Sequence, residues 1–211
     1  MNNLVDKIKT TIAAYDKNCG SYADKFMQYN PYVTHVVEFA NMLENDFAIL
    51  DIGCGPGNVA KQLYAEKELT ITGIDLSAEM LELAKRNVPQ GNFQLQDSRK
   101  ANFPPESFDA VILSFSIVHL EDAEAKAVLA NASNWVRSGG YVYLSFMEGK
   151  QPGFEITSFS NQPLYFNYFQ EAEIKAFLEQ RGLNCIRSVR QDYPEEDGST
   201  TTDVFLFLKK R

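Results

Sequence analysis

Histidine and cysteine are scarce: two His (His35, His119) and three Cys (Cys19, Cys54, Cys185) in 211 residues. They stand apart, without the C-x-x-C or mixed His/Cys spacing of a zinc site, so no metal is expected and the thiols are expected to be free. Basic residues are also in deficit. Twenty Lys and Arg against 28 Asp and Glu give a formal charge of −8, which disfavours a nucleic-acid partner, because such binding rests on cations neutralising phosphates. Acidity is compatible with a cationic or neutral small-molecule partner. No apolar run approaches the roughly 20 residues of a membrane span, and Met1–Lys7 lacks the apolar core of a secretion signal. A cytoplasmic protein without a membrane partner is the expectation; the sequence leaves the oligomeric state open. Repeats, linkers and low-complexity segments are missing too, so one domain is expected over 1–211.

Glycine, by contrast, is concentrated at one point. Ala48-Ile49-Leu50-Asp51-Ile52-Gly53-Cys54-Gly55-Pro56-Gly57-Asn58 reads as an apolar strand, a glycine turn and a helix N-terminus. Glycine permits positive φ and removes the Cβ that would keep a ligand off the main chain. The helix behind it offers free N–H groups to a nucleotide-like or carboxylate-bearing ligand. A dinucleotide fingerprint would need glycine where Asn58 stands, and Pro56 lacks an N–H; no Gly-Lys-Ser/Thr follows, which excludes a P-loop.

Strands and helices then alternate. Strands are predicted at 47–52, 69–74, 92–96, 109–115 and 141–146, with helices at 58–67, 77–88 and 122–136 between them. Gly139-Gly140 is expected to end the last of these helices. Alternation implies an α/β fold: a doubly wound, mostly parallel seven-stranded sheet with helices on both faces. A helix over 4–15, broken by Asn18-Cys19-Gly20, and one opening at Pro31 would form an N-terminal cap (1–45) on a core (46–146). His35 is expected at the surface. The aromatic-rich stretch 147–169 shows no period and reads as a substrate loop or lid. A helix over 170–181 and an antiparallel edge hairpin, turning at Glu195–Ser199, close the chain (170–211).

In such sheets ligands bind at the carboxyl ends of the strands. Gly53, Asp75, Asp97 and Ser114-Phe115 all fall there, from four separate segments. Asp75, ending strand 2, can accept from two ribose hydroxyls at once; a dehydrogenase would use such an acid in the same way.

Asp51-x-Gly53-x-Gly55-x-Gly57, followed by Asp75 and Asp97, resembles the motifs of the class I, Rossmann-like S-adenosylmethionine-dependent methyltransferases of small-molecule type. Tyr15-Asp16 and Tyr22 are similar to that family's N-terminal entry. The resemblance implies S-adenosyl-L-methionine as cofactor, S-adenosyl-L-homocysteine as product, a small-molecule acceptor and a reversed last strand. It also implies roles: Gly53, Cys54, Gly55 and Gly57 in the cofactor loop; Asp51 toward the methionine amino group, with the Ser114 carbonyl; Asp75 on the ribose; Leu76 beside adenine; Asp97, with Ser98, on the adenine amine. Tyr22 would lie over the cofactor, and Phe115, after strand 4, is expected among the cofactor-binding residues. His119 is the candidate general base, should the acceptor need one, and Tyr165 and Tyr168 are candidate substrate contacts. A non-catalytic S-adenosylmethionine-binding module and an NAD-dependent dehydrogenase are the alternatives. Ser114-Phe115-Ser116-Ile117 lacks the signature of DNA amino-methylating enzymes.

Overall fold

The computed structural model describes residues 6–194, 198 and 200–211. Seven strands form one sheet in the order β3-β2-β1-β4-β5-β9-β8. β1 (Ala48–Ile52), β2 (Thr70–Asp75), β3 (Asn92–Leu95), β4 (Phe108–Ser114) and β5 (Val136–Glu148) run parallel. β9 (Thr200–Lys210) lies between β5 and β8 (Leu183–Pro194), antiparallel to both. Strand order reverses direction between β1 and β4, the switch point at which such sheets open a crevice.

Alternation along each strand sorts the core onto two faces. Leu50, Ile52, Val111, Leu113, Val142 and Leu144 pack with α5 (Asp122–Trp135) and α6 (Glu171–Glu179). On the other face Ile49, Ile71, Ile112, Tyr143 and Phe205 pack with α2 (Asn30–Ala40), α3 (Asn58–Glu66) and α4 (Ala78–Asn87). Helix starts follow the side chains: the Ser77 hydroxyl accepts from the Met80 N–H and caps α4, and Glu121 and Glu124 form a reciprocal capping box on α5. Among the described residues no helix is long and apolar enough to cross a membrane.

Four local expectations are corrected. α1 runs from Lys7 to Phe26, through Gly20, with a kink at Asn18 (φ −117°, ψ 19°) instead of a break. There the Asn18 amide donates to the Ala14 carbonyl (2.7 Å) and the Ser160 hydroxyl (3.1 Å), so a tertiary tie steadies the distorted turn. β5 starts at Val136, directly after α5; Gly139-Gly140 lies within the strand, at the register shift against β4. Residues 147–169 are not irregular: β6 (Gly153–Thr157) and β7 (Ser160–Phe166) form a hairpin beside the main sheet. His35 is buried, its ring 4.2 Å from that of Phe205, because α2 lies flat on the reversed strand. Of the polar turn read at 195–199, only Gly198 is among the described residues.

Candidate functional site

The turn after β1 is held by its neighbours. The N–H groups of Gly53 and Cys54 donate to the Ile74 carbonyl (2.8 and 3.1 Å), and the Gly55 N–H donates to Asp75 Oδ2 (2.9 Å). Asp75 Oδ1 accepts from the Ser77 N–H (2.8 Å), so one carboxylate ties the glycine turn to the start of α4. Burial pushes the Asp75 carboxyl up, while the N–H groups of Ser77, Gly55 and Leu76 pull it back. Gly53 has φ +70°, and a Cβ there would lie 2.5 Å from that of Ser116. Gly53→Ala is therefore expected to cost about 2–4 kcal/mol in urea denaturation, from positive-φ strain together with overpacking; an unchanged midpoint would show that the turn can relax.

Phe115, next to that turn, is a phenylalanine at φ +50°. Its N–H donates to the carbonyl (3.1 Å) and hydroxyl (3.0 Å) of buried Ser145 on β5. Those two bonds oppose the strain of a left-handed non-glycine residue, about 1–3 kcal/mol.

α1 closes the crevice from above. Asp16 accepts from the Ser77 hydroxyl (2.6 Å), and Thr11 Oγ1 accepts from the Tyr165 N–H (3.0 Å), anchoring the helix to both the start of α4 and β7. Tyr22 lies over the glycine turn, with Cε1 4.0 Å from the Cβ position of Gly55. The Tyr15 hydroxyl is 2.8 Å from His119 Nε2, and His119 Nδ1 is 2.8 Å from the Tyr165 carbonyl. A carbonyl only accepts, so Nδ1 carries the proton and Nε2 accepts from Tyr15.

Burial lowers the His119 pKa to about 4. Between about pH 4 and 6.5 the unfolded chain thus binds a proton at this residue that the folded one does not, and stability rises with pH. His119→Asn loses that rise. Its deficit against the unaltered protein is expected to widen by up to about 1.4 kcal/mol per pH unit across this window in urea melts; a constant deficit would mean that His119 titrates normally.

Two cavities open at the strand ends. The first is lined by Gly53, Gly55, Asp75, Leu76, Gln96 and Ser98, among others. The second is bounded by Phe26, Tyr32, Phe159, Tyr168, Tyr193 and Asp203, with further aromatic and apolar groups. Tyr15, Tyr22, Ser114, Phe115 and His119 line both and form the wall between them.

Of the residues picked out from the sequence, Tyr22, Gly53, Gly55, Asp75, Leu76, Ser98, Ser114, Phe115 and His119 line the first cavity, and Tyr168 the second. Five are not among the lining groups of either cavity. Cys54 is buried beneath the turn, against Gly73. Gly57 serves as the left-handed N-cap of α3. Asp97 is gripped by Arg99, whose Nε and Nη2 donate at 2.9 and 2.8 Å, and this bond holds its carboxyl below the usual range. The ring of Tyr165 packs under the Lys7 ammonium, 4.3 Å from its centroid. Asp51 is 1% exposed, and neither carboxylate oxygen has a partner among the described residues. Burial, then repulsion from Asp75, raises its pKa to about 7.

Sequence reasoning missed Gln96, Ser116, Tyr32 and Asp203 as lining groups, and gave Tyr15 no place in the site. Only Tyr15 carried a signal, in its spacing from Tyr22 on one helix face.

A doubly wound sheet, a glycine turn and an acid after the second strand define a nucleoside-binding Rossmann-like protein. The methyltransferase domain family matches residues 49–140. An uncharacterized methyltransferase of Anoxybacillus flavithermus is 30% identical over 177 residues, 84% of this chain and 74% of its own length. An O-methyltransferase of Aspergillus nomiae is 28% identical over 147 residues, 65% of this chain and 64% of its own. Among solved structures, magnesium protoporphyrin IX methyltransferase of Synechocystis, with bound S-adenosylmethionine, superposes with a TM-score of 0.72 at 18% identity, over 100% of both chains. The chain belongs to the class I S-adenosylmethionine-dependent methyltransferases.

Proposed function

We propose that this enzyme methylates a small-molecule acceptor seated in the aromatic cavity, with the cofactor in the glycine-turn cavity. The observation that carries this reading is the shared wall: Tyr15, Tyr22, Ser114, Phe115 and His119 face both spaces, so donor and acceptor sites adjoin. The solved relative named above is a methyltransferase of a porphyrin, which supports a small acceptor.

The residues present fit the cofactor. Asp51 is a buried carboxylate whose oxygens lack partners, and it suits an ammonium such as that of a methionine moiety. Asp75 retains a lone pair on each oxygen for ribose hydroxyls beyond its two backbone donors. Leu76 and Met80 supply an apolar wall, and Gln96 and Ser98 supply the polar edge that Asp97, held by Arg99, does not. S-adenosylmethionine, when bound, supplies a methyl group on a sulfonium that departs as a neutral thioether. The leaving group needs no acid, so the chain's task is to align and desolvate, which is proximity catalysis. His119 Nε2 is engaged by the Tyr15 hydroxyl, and a pKa of about 4 makes it a weak proton acceptor. We assign it to holding Tyr15 over the shared wall. A hydroxyl acceptor would pass its proton to Tyr15 as Tyr15 passes its own to Nε2.

The test is to compare the rise in melting temperature given by S-adenosylmethionine and by NADH. S-adenosylhomocysteine formation is then followed by mass spectrometry with a metabolite extract as acceptor pool. Stabilisation by NADH alone would sink the reading; stabilisation by S-adenosylmethionine with no turnover on any extract would favour a binding module.

A further inference from the structure

We infer that Phe159, at the tip of the β6–β7 hairpin, is a positioning residue: it seats Tyr15 and Tyr22 over the glycine-turn cavity, so cofactor affinity depends on a ring that belongs to the acceptor side. This rests on the proposed seat of the cofactor, since only there do the two tyrosines cover it.

The hairpin turns at Ser158-Phe159, and the turn is tied to α1 on both sides of that pair. The Lys25 ammonium donates to the Ser158 hydroxyl, and the Asn18 amide donates to the Ser160 hydroxyl at 3.1 Å. Ser160 is buried, and its hydroxyl also accepts from the Gln162 N–H at 3.1 Å, so the root of the tip is fixed as well. Between these ties Phe159 meets three rings of α1. It stacks on Tyr15 (5.6 Å between centroids, 18° between planes) and packs edge to face with Tyr22 (5.1 Å, 83°) and Phe26 (6.0 Å, 82°).

Tyr15 and Tyr22 line both cavities, whereas Phe159 is among the lining groups of the aromatic one. Tyr15 has a second hold in its bond to His119 Nε2. Tyr22 is placed by rings: Tyr15 edge-on (5.6 Å, 82°), Phe26 tilted (4.8 Å, 43°) and Phe159. Edge-to-face pairs prefer a definite geometry, so Phe159 sets the tilt of Tyr22 above Gly55 as well as its distance. A cover already in place spares the ligand the entropy of ordering it. Without Phe159 that ordering is added to the cost of binding, and the ligand leaves sooner.

Calorimetry and stopped-flow dissociation with S-adenosylhomocysteine test this. Phe159→Ala is expected to bind about tenfold more weakly, the scale of two lost ring contacts, chiefly through faster dissociation. Phe159→Tyr keeps the ring and should stay within about twofold of the unaltered protein. Phe154→Ala removes a ring of the same hairpin that packs on Tyr165 (5.8 Å), and it should also stay within about twofold. In a Tyr22→Ala background, adding Phe159→Ala should weaken binding less than about threefold, because the ring it positions is gone. Should Phe159→Ala not fold, Phe159→Leu, which fills the space without a ring, should bind about threefold more weakly. Unchanged affinity in Phe159→Ala, an equal loss in Phe154→Ala, no rescue by Phe159→Tyr, or an undiminished loss in the Tyr22→Ala background overturns the inference. If Asp75→Ala weakens binding and Phe159→Ala does not, the role of Phe159 alone is struck; if neither does, the seat of the cofactor itself is wrong.

Discussion

Replacing Asp75 by alanine is expected to weaken S-adenosylmethionine binding by about 2–4 kcal/mol in calorimetric titration, a loss of roughly 30- to 1000-fold. The size follows from two roles that one carboxylate combines. It faces the first cavity, where it can accept from a ribose diol, and charge-assisted bonds are about twice as strong as neutral ones. It also accepts from the Gly55 and Ser77 N–H groups, so its loss releases the glycine turn and leaves two donors to find water. Asp75→Asn separates the two roles. The amide oxygen can keep one backbone donor but the charge is gone, so about half of the loss should remain. Unchanged affinity in Asp75→Ala would remove this residue from the cofactor site.

The parts of this arrangement legible in the sequence are those fixed by local pattern. β4, with Ala110-Val111-Ile112-Leu113 buried on both faces, reads as a central parallel strand because nothing in it alternates. The glycine turn is legible because positive φ at Gly53, Gly55 and Gly57 leaves few residue choices. What escaped is set by distant contacts. Tyr32 and Asp203, bonded at 2.7 Å, are 171 positions apart, and neither carries a spacing that points to the other. The β6–β7 hairpin escaped because its aromatics do not alternate with polar residues: adjacent Tyr165 and Phe166 are both aromatic, the first under Lys7 and the second lining the cavity. Phe115 was picked out for its place after β4, yet nothing local foretells a phenylalanine at φ +50°; that conformation is held by Ser145, the partner of Ser114 on the adjacent strand β5 and 30 positions away in sequence.

Binding of S-adenosylmethionine is expected to weaken about tenfold when the pH falls from 8 to 6, and Asp51 is the reason. Its folded pKa of about 7 lies above its ordinary value of 3.8, because burial and then Asp75 oppose the charge. From about pH 4 to 7 the folded chain therefore holds a proton that the unfolded chain has released, and this residue's contribution to the stability of the ligand-free protein falls as pH rises. A ligand ammonium reverses the balance: it favours the ionised form, so binding expels the proton below pH 7, and each pH unit lost below that point costs up to about a factor of ten. Asp51→Asn should flatten the binding profile between pH 6 and 8 and weaken binding at pH 8, while stabilising the ligand-free protein at that pH by about 2–4 kcal/mol, since an amide carries no charge to desolvate. Paired titrations and urea melts at pH 6, 7 and 8 check both halves at once. Should the variant lose affinity without gaining stability, the carboxylate is solvated in the free protein and the pH dependence has another source. If both signs hold, the folded chain keeps an unfavourable buried acid whose cost the ligand offsets, with strain concentrated where the site must fit a charge that is not its own.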